Sequence, residues 1–127
     1  MIDFSKLKNM PATKQYTRDA VVAKEGDSAS NSMYIVLQGG IQLVKKYDKP
    51  DKMVIANLGP GDFFDEMSLF LLKQRAATAV AVEESLLLEV SQDNVYDLFN
   101  ECPQLVYSVI RALCSRIDEL NDLVRSG

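Results

Sequence analysis

Between residues 12 and 91 the sequence is cut into short aliphatic runs at nearly regular spacing, and that rhythm restricts the folds open to it. "RDAVVAKEGD", "SMYIVLQGGIQLVKKYD", "DKMVIANLGPGD", "AATAVAV" and "SLLLEV" are rich in β-branched and aliphatic residues and are separated by Gly, Pro, Asp and Asn. Runs this short, bounded by residues that suit turns, read as strands. Around seven or eight of them at such spacing imply an antiparallel sandwich or a jelly-roll barrel. The turns carry their own marks: "EGD" at Glu25 to Asp27, "GG" at Gly39 and Gly40, "DKPD" at Asp48 to Asp51 and "GPGD" at Gly59 to Asp62. Each supplies residues that accept positive φ or fix φ near about −65°.

Two departures from the strand rhythm organise the rest. "DEMSLFLL", Asp65 to Leu72, places a capping residue ahead of good helix formers and predicts a short helix inserted between two strands. After Ser91 the pattern becomes helical. "SQDNVYDLFNECP" predicts a helix capped by Ser91 and stopped by Pro103, followed by a longer one from Gln104 to about Val124. Along that helix Val106, Ile110, Leu113, Ile117, Leu120 and Val124 alternate at spacings of four and three, the seam of a heptad repeat. Such a seam suits either an amphipathic helix lying on its own barrel or a coiled coil between two copies. The expected fold is mainly β with α: an eight-stranded jelly-roll-like β-barrel over about residues 12–91, an inserted short helix, and C-terminal helices over about 92–124. A single domain over residues 1–127 is the expectation for a chain of this length.

Composition narrows the chemistry. The 127 residues include no histidine, which removes imidazole metal sites and histidine-based nucleophilic catalysis. A net charge of −4 argues against a broad electrostatic hold on nucleic acid or anionic lipid, so only a local positive spot is left to bind an anion. Cys102 and Cys114 lie in predicted helix and read as reduced thiols. No apolar run approaches the roughly 20 residues that span a bilayer, so a soluble, cytoplasmic protein without nucleic-acid or membrane partners is expected. Adjacent acids and an arginine without a nucleophile or a positioned base do not make a catalytic set, which favours binding over catalysis.

The densest constellation is "GPGDFFDEMSLFLLKQRAATAV". In order with "EGD" and "MYIVLQGG", it resembles the phosphate-binding cassette of the cyclic nucleotide-binding domain, the sensor domain of catabolite activator protein-like regulators. That family's cassette reads F-G-E, two small or aliphatic positions, Leu, and later Arg, a small residue and Ala. Phe64, Glu66, Ser68, Leu69, Arg75, Ala76 and Ala77 match it, and Asp65 stands where the family has glycine.

The resemblance implies a regulatory ligand, cAMP ahead of cGMP, and no other cofactor. A cyclic phosphate suits a rigid guanidinium and the N–H groups of a helix start, so Arg75 and the backbone around Asp65, Glu66, Met67 and Ser68 would hold it. Glu66 would accept from the ribose 2′-hydroxyl. Ala76, followed by Ala77, lacks the hydroxyl with which cGMP-selective relatives reach the guanine amino group. The closing helix would fold over the base, with Asn121 near its edge, and a homodimer through that helix is expected. On this reading Arg75→Ala removes ligand binding and leaves the fold intact. Asp65 opens a rival reading: by capping the short helix and pairing with Arg75 it would fill the anion site from within, leaving a nucleotide-free module for dimerisation or protein interaction.

Overall fold

The structure, a computed structural model, describes residues 4–28 and 30–126. A short helix α1 (Phe4–Leu7) precedes β1 (Thr13–Tyr16), β2 (Val21–Ala23), β3 (Met33–Gln38), β4 (Ile41–Lys45), β5 (Met53–Leu58) and β6 (Phe63–Phe64). Then come helix α2 (Glu66–Leu71), β7 (Thr78–Ala81), β8 (Ser85–Val90), and helices α3 (Val95–Glu101) and α4 (Pro103–Ser126). The chain divides into two compact units, Asp3–Val95 holding the sheets and the C-terminal helices from Tyr96 onward.

Among the described residues the eight strands form two antiparallel four-stranded sheets, ordered β1-β8-β3-β6 and β2-β7-β4-β5. The expected eight-stranded jelly-roll architecture is present, as two facing sheets that do not close into a barrel. Closure needs a continuous ladder, whereas β6 has two residues and β2 three, so pairing runs out and each sheet keeps two open edges. The core lies between the sheets. Tyr34 and Val36 of β3, Phe64 of β6 and Leu87 of β8 meet Ala23 of β2, Ile41 of β4 and Ala79 and Ala81 of β7. Small alanines on β7 make room for the aromatic and branched side chains from the other sheet, as close packing requires. Strand β3 is buried from Met33 to Leu37, on both faces, and α2 lies against it.

The turns behave as their sequences imply. In "GPGD", Gly61 takes φ +95°, its N–H bonds to the Val36 carbonyl at 2.8 Å, and Asp62 Oδ2 accepts from the Gly59 N–H at 2.9 Å. This fastens the start of β6 to β3, where Tyr34 pairs with Phe64 in register.

In the helical unit, α3 begins at Val95 rather than near Ser91. Asn94 Oδ1 accepts from the Ser91 N–H and its amide donates to the Glu89 carbonyl, so the stretch ahead of Val95 is a turn held by Asn94. Pro103 opens α4 as well as ending α3, a first-turn position where its missing N–H costs nothing. The early residues Leu105 and Val109 of α4 are buried, whereas every described residue from Cys114 to Arg125 is exposed.

Gly39, at the β3–β4 turn, has φ +88°, and a Cβ there would stand 2.3 Å from Ser85 Oγ and 2.5 Å from the Glu84 carbonyl oxygen. Gly39→Ala is therefore expected to cost at least about 2 kcal/mol, read as a shifted midpoint in urea denaturation.

Candidate functional site

Three segments of the sheet unit converge on Arg75. The first is the turn at Gly26: its N–H bonds to the Arg75 carbonyl at 2.8 Å, and the Arg75 N–H bonds to the Asp27 carbonyl at 3.2 Å. The second is the loop entering β3, whose carbonyls take the guanidinium: Nη2 donates to Ser30 at 2.8 Å and Nη1 to Ser32 at 2.9 Å. The third is the β6–α2 junction, where Nη1 also donates to Asp65 Oδ2 at 2.5 Å. The guanidinium carbon lies 5.5 Å from the centre of the Tyr34 ring, which itself stacks on Phe64 with centroids 5.2 Å apart. The Arg75 side chain is 2% exposed and that of Asp65 10%.

Asp65 holds the position ahead of α2 with φ 66° and ψ 26°, the left-handed conformation, and its side chain makes no capping bond. The expected cap is thus corrected. Its carbonyl accepts from the Ser68 and Leu69 N–H groups at 3.1 and 3.3 Å, while its carboxylate is taken by Arg75 instead of by the helix N-terminus. Left-handed backbone suits glycine, and aspartate is among the few side chains that tolerate it, so the chain path survives the exchange.

The two carboxylates around the arginine behave oppositely. Burial pushes the Asp65 carboxyl above its ordinary value; Arg75 pulls it down without cancelling the rise, and neighbouring Glu66 adds to it. A carboxyl raised on folding adds stability below its unfolded value and loses it as pH climbs through the folded one, so ionised Asp65 is a net cost at neutral pH. Glu89 on β8 also suffers from burial, but bonds from Lys14 (2.6 Å) and Ser32 Oγ (2.7 Å) outweigh it and hold its carboxyl low. Its contribution is present at neutral pH and lost as pH falls through the folded value. Burial, with the charge of Glu89 next, raises the Tyr34 hydroxyl to about 12, so it stays neutral.

Of the residues expected from sequence, Phe64, Asp65, Glu66, Ser68, Arg75 and Ala77 gather in this region, with Phe64, Ser68, Arg75 and Ala77 buried. Met67 and Ala76 are exposed, and Glu66 is half-buried. Asn121 is an exposed residue of α4, in the other unit. Sequence reasoning missed the loop Ser30–Asn31–Ser32, which serves the arginine through carbonyls that any residue type carries. Asn31 Oδ1 in that loop is buried without a hydrogen-bond partner among the described residues. Among the described residues no group of His, Cys, Asp or Glu is placed to hold a metal ion, and no helix is long and apolar enough to cross a membrane.

Two antiparallel sheets with a short helix and a buried arginine between the sixth and seventh strands define a jelly-roll ligand-binding domain. Residues 13–102 match the Cyclic nucleotide-binding domain family, and the chain belongs to it. It is 30% identical over 104 residues to the Cyclic AMP receptor protein of Thermus thermophilus, covering 82% of this chain and 48% of that protein. It is 29% identical over 120 residues to the Pycsar effector protein PaPycTIR of Pseudomonas aeruginosa, covering 94% of this chain and 37% of that one. The crystal structure of Thermus thermophilus Catabolite Activator Protein superposes with a TM-score of 0.72 at 27% identity, over 89% of this chain and 53% of that chain. The chain thus spans about half the length, or less, of these curated relatives.

The bonds of Arg75 revise the expectation that its loss spares the fold. Arg75→Ala would leave a buried carboxylate and two loop carbonyls without their donor, and removing one partner of a buried pair costs about 3–5 kcal/mol. Chemical denaturation is expected to show a loss of that order, with Asp65→Asn in the same chain recovering part of it.

Proposed function

We propose that the domain is a regulatory module that binds a cyclic nucleotide, cAMP ahead of cGMP, without catalysing a reaction on it. The observation that carries this is the buried guanidinium of Arg75 at the end of a family cassette, bonded to one anion already. A cyclic phosphate monoanion, like the Asp65 carboxylate, presents two anionic oxygens to a guanidinium and would exchange with it on Nη1, while Ser30 and Ser32 keep the arginine aimed. Glu66 would accept from the ribose 2′-hydroxyl. The exposed methyl of Ala76 offers no partner to a guanine amino group. The Thermus thermophilus relative named for cyclic AMP supports the same preference.

The Asp65–Arg75 bond also favours a second reading, a module whose anion site is filled from within and which works by association alone. An aspartate held about 5 Å from a bound phosphate at an effective dielectric near 20 costs roughly 3 kcal/mol, on the order of two decades in affinity. Calorimetric titration with cAMP, cGMP and AMP separates the readings. The parent is expected to bind cAMP weakly and AMP not at all. Asp65→Gly, which suits the left-handed backbone, is expected to bind roughly ten- to hundredfold tighter. Failure of both proteins at millimolar cAMP would leave the nucleotide-free reading.

The output is assigned to α4. Of its seam positions Ile110, Ile117, Leu120 and Val124 are 55, 57, 61 and 80% exposed, and their four-three spacing fits a second copy of the same helix. Binding that favours one setting of this helix would be read as a change in how two copies associate. Ile110→Glu with Ile117→Glu is expected to give a monomer in sedimentation with the far-ultraviolet circular dichroism unchanged; a parent that is itself monomeric at high concentration would remove the seam from the interface.

A further inference from the structure

The exchange on Arg75 has to leave the Asp65 carboxyl somewhere, and the backbone limits where. Its carbonyl holds the first turn of α2 through Ser68 and Leu69, and its N–Cα–C frame sits in the left-handed well. The side chain has only two rotatable bonds, so a carboxylate displaced from Arg75 stays close to both the arginine and the arriving phosphate. Among the described residues the charged and titratable groups around it are few. Glu66 stands next on α2, Tyr34 faces it from β3, and Arg75 comes from the segment before β7. Behind the arginine, Glu89 of β8 is engaged by Lys14 of β1 and by Ser32, and Tyr16 of β1 senses the same charges. One guanidinium would then face both a phosphate and the carboxylate of Asp65, with Glu89 already committed to its own donors.

On the reading that Arg75 takes the ligand phosphate, we propose that binding takes up one proton from solvent at Asp65, so that the domain responds jointly to cyclic nucleotide and to pH. In the free domain Asp65 is ionised and bonded to Arg75. In the complex the phosphate replaces it on Nη1, and the carboxyl becomes neutral and able to donate to a ligand oxygen. The balance is domain plus nucleotide monoanion plus one proton giving the complex, with no other bond made or broken. The ligand phosphate contributes no proton of its own, because a cyclic phosphodiester stays singly ionised over the working range. Burial already favours the neutral form of this carboxyl in the free domain, so the proton adds to an existing tendency.

Calorimetric titration with cAMP from pH 5.5 to 7.5, in pairs of non-phosphate buffers with different ionisation enthalpies, measures the uptake directly. The expected result is an observed enthalpy that varies with the buffer, with a slope approaching one proton. Affinity should rise as pH falls, by up to about tenfold per unit. Asp65→Asn, which is neutral at every pH, is expected to show no buffer dependence and a flat profile. Binding by the parent with identical enthalpies in all buffers, or an Asp65→Asn profile that follows the parent's, would overturn the proton uptake while leaving Arg75 as the phosphate residue. Binding by Asp65→Asn with none by the parent down to pH 5.5 would overturn it too. If the parent, Asp65→Asn and Asp65→Gly all fail to bind cAMP at every pH, the proposed function falls with it.

Discussion

A buried guanidinium has to be paid for by its surroundings, and much of the sheet unit around the cassette is arranged to do so. The carbonyls of Ser30 and Ser32, the carboxylate of Asp65 and the face of the Tyr34 ring all converge on Arg75. These partners come from segments distant in sequence, so the arginine joins the loop entering β3 to the β6–α2 junction as a disulfide or metal would in a smaller domain. The same charge that makes the region suitable for an anion thereby becomes part of what keeps the fold together. On the proposed reading, recognition and stability are coupled at one side chain, and a change at Arg75 cannot alter one without the other.

Asp65 makes this coupling unusual. Glycine, which the family resemblance leads one to expect at this place, would leave the arginine without the Asp65 carboxylate on Nη1. Aspartate keeps the left-handed turn and adds an internal anion whose ionised form is itself disfavoured by burial. The result is a pair that is bonded yet not at rest: the carboxylate compensates Arg75 while bearing a desolvation cost of its own. A buried ion pair of this kind contributes modestly to net stability, because desolvation of both partners offsets much of their attraction.

How much of this was legible in the sequence follows from which interactions side chains dictate. The sheet content, the inserted helix and the glycine turns are written in patterning, and the cassette residues from Phe64 to Ala77 were readable as a group. Thr13–Tyr16 carries no apolar alternation and becomes a strand only because β8 pairs with it, which no local pattern announces. Ser91 was expected to cap α3 because serine is a good cap, but Asn94, with a carbonyl and an amide to offer, holds the turn. Asp65 was expected to cap α2 for the same reason; a buried cation nearby outcompetes the partial charge of a helix end. The loop Ser30–Asn31–Ser32 was invisible because it acts through its backbone. The jelly-roll architecture was legible from strand count, whereas the open edges were not, because strand length at the edges leaves no mark in the pattern.

That open edge carries a liability of its own. Strand β5 ends the second sheet with unpaired backbone groups on its outer side and with Met53, Val54 and Ile55 all exposed. A stretch of this kind is a template for unwanted strands from other chains. Beside it, at the β4–β5 turn, stand Lys45, Lys46, Lys49 and Lys52, four cations within eight residues of a chain whose net charge is negative. Only some of that charge is spent on nearby acids, as in the 3.0 Å pair of Lys46 with Asp51. Placed at the entry to the exposed strand, the lysines act as gatekeepers: a copy pairing parallel to it would bring its own four cations against them, which opposes that extension of the sheet.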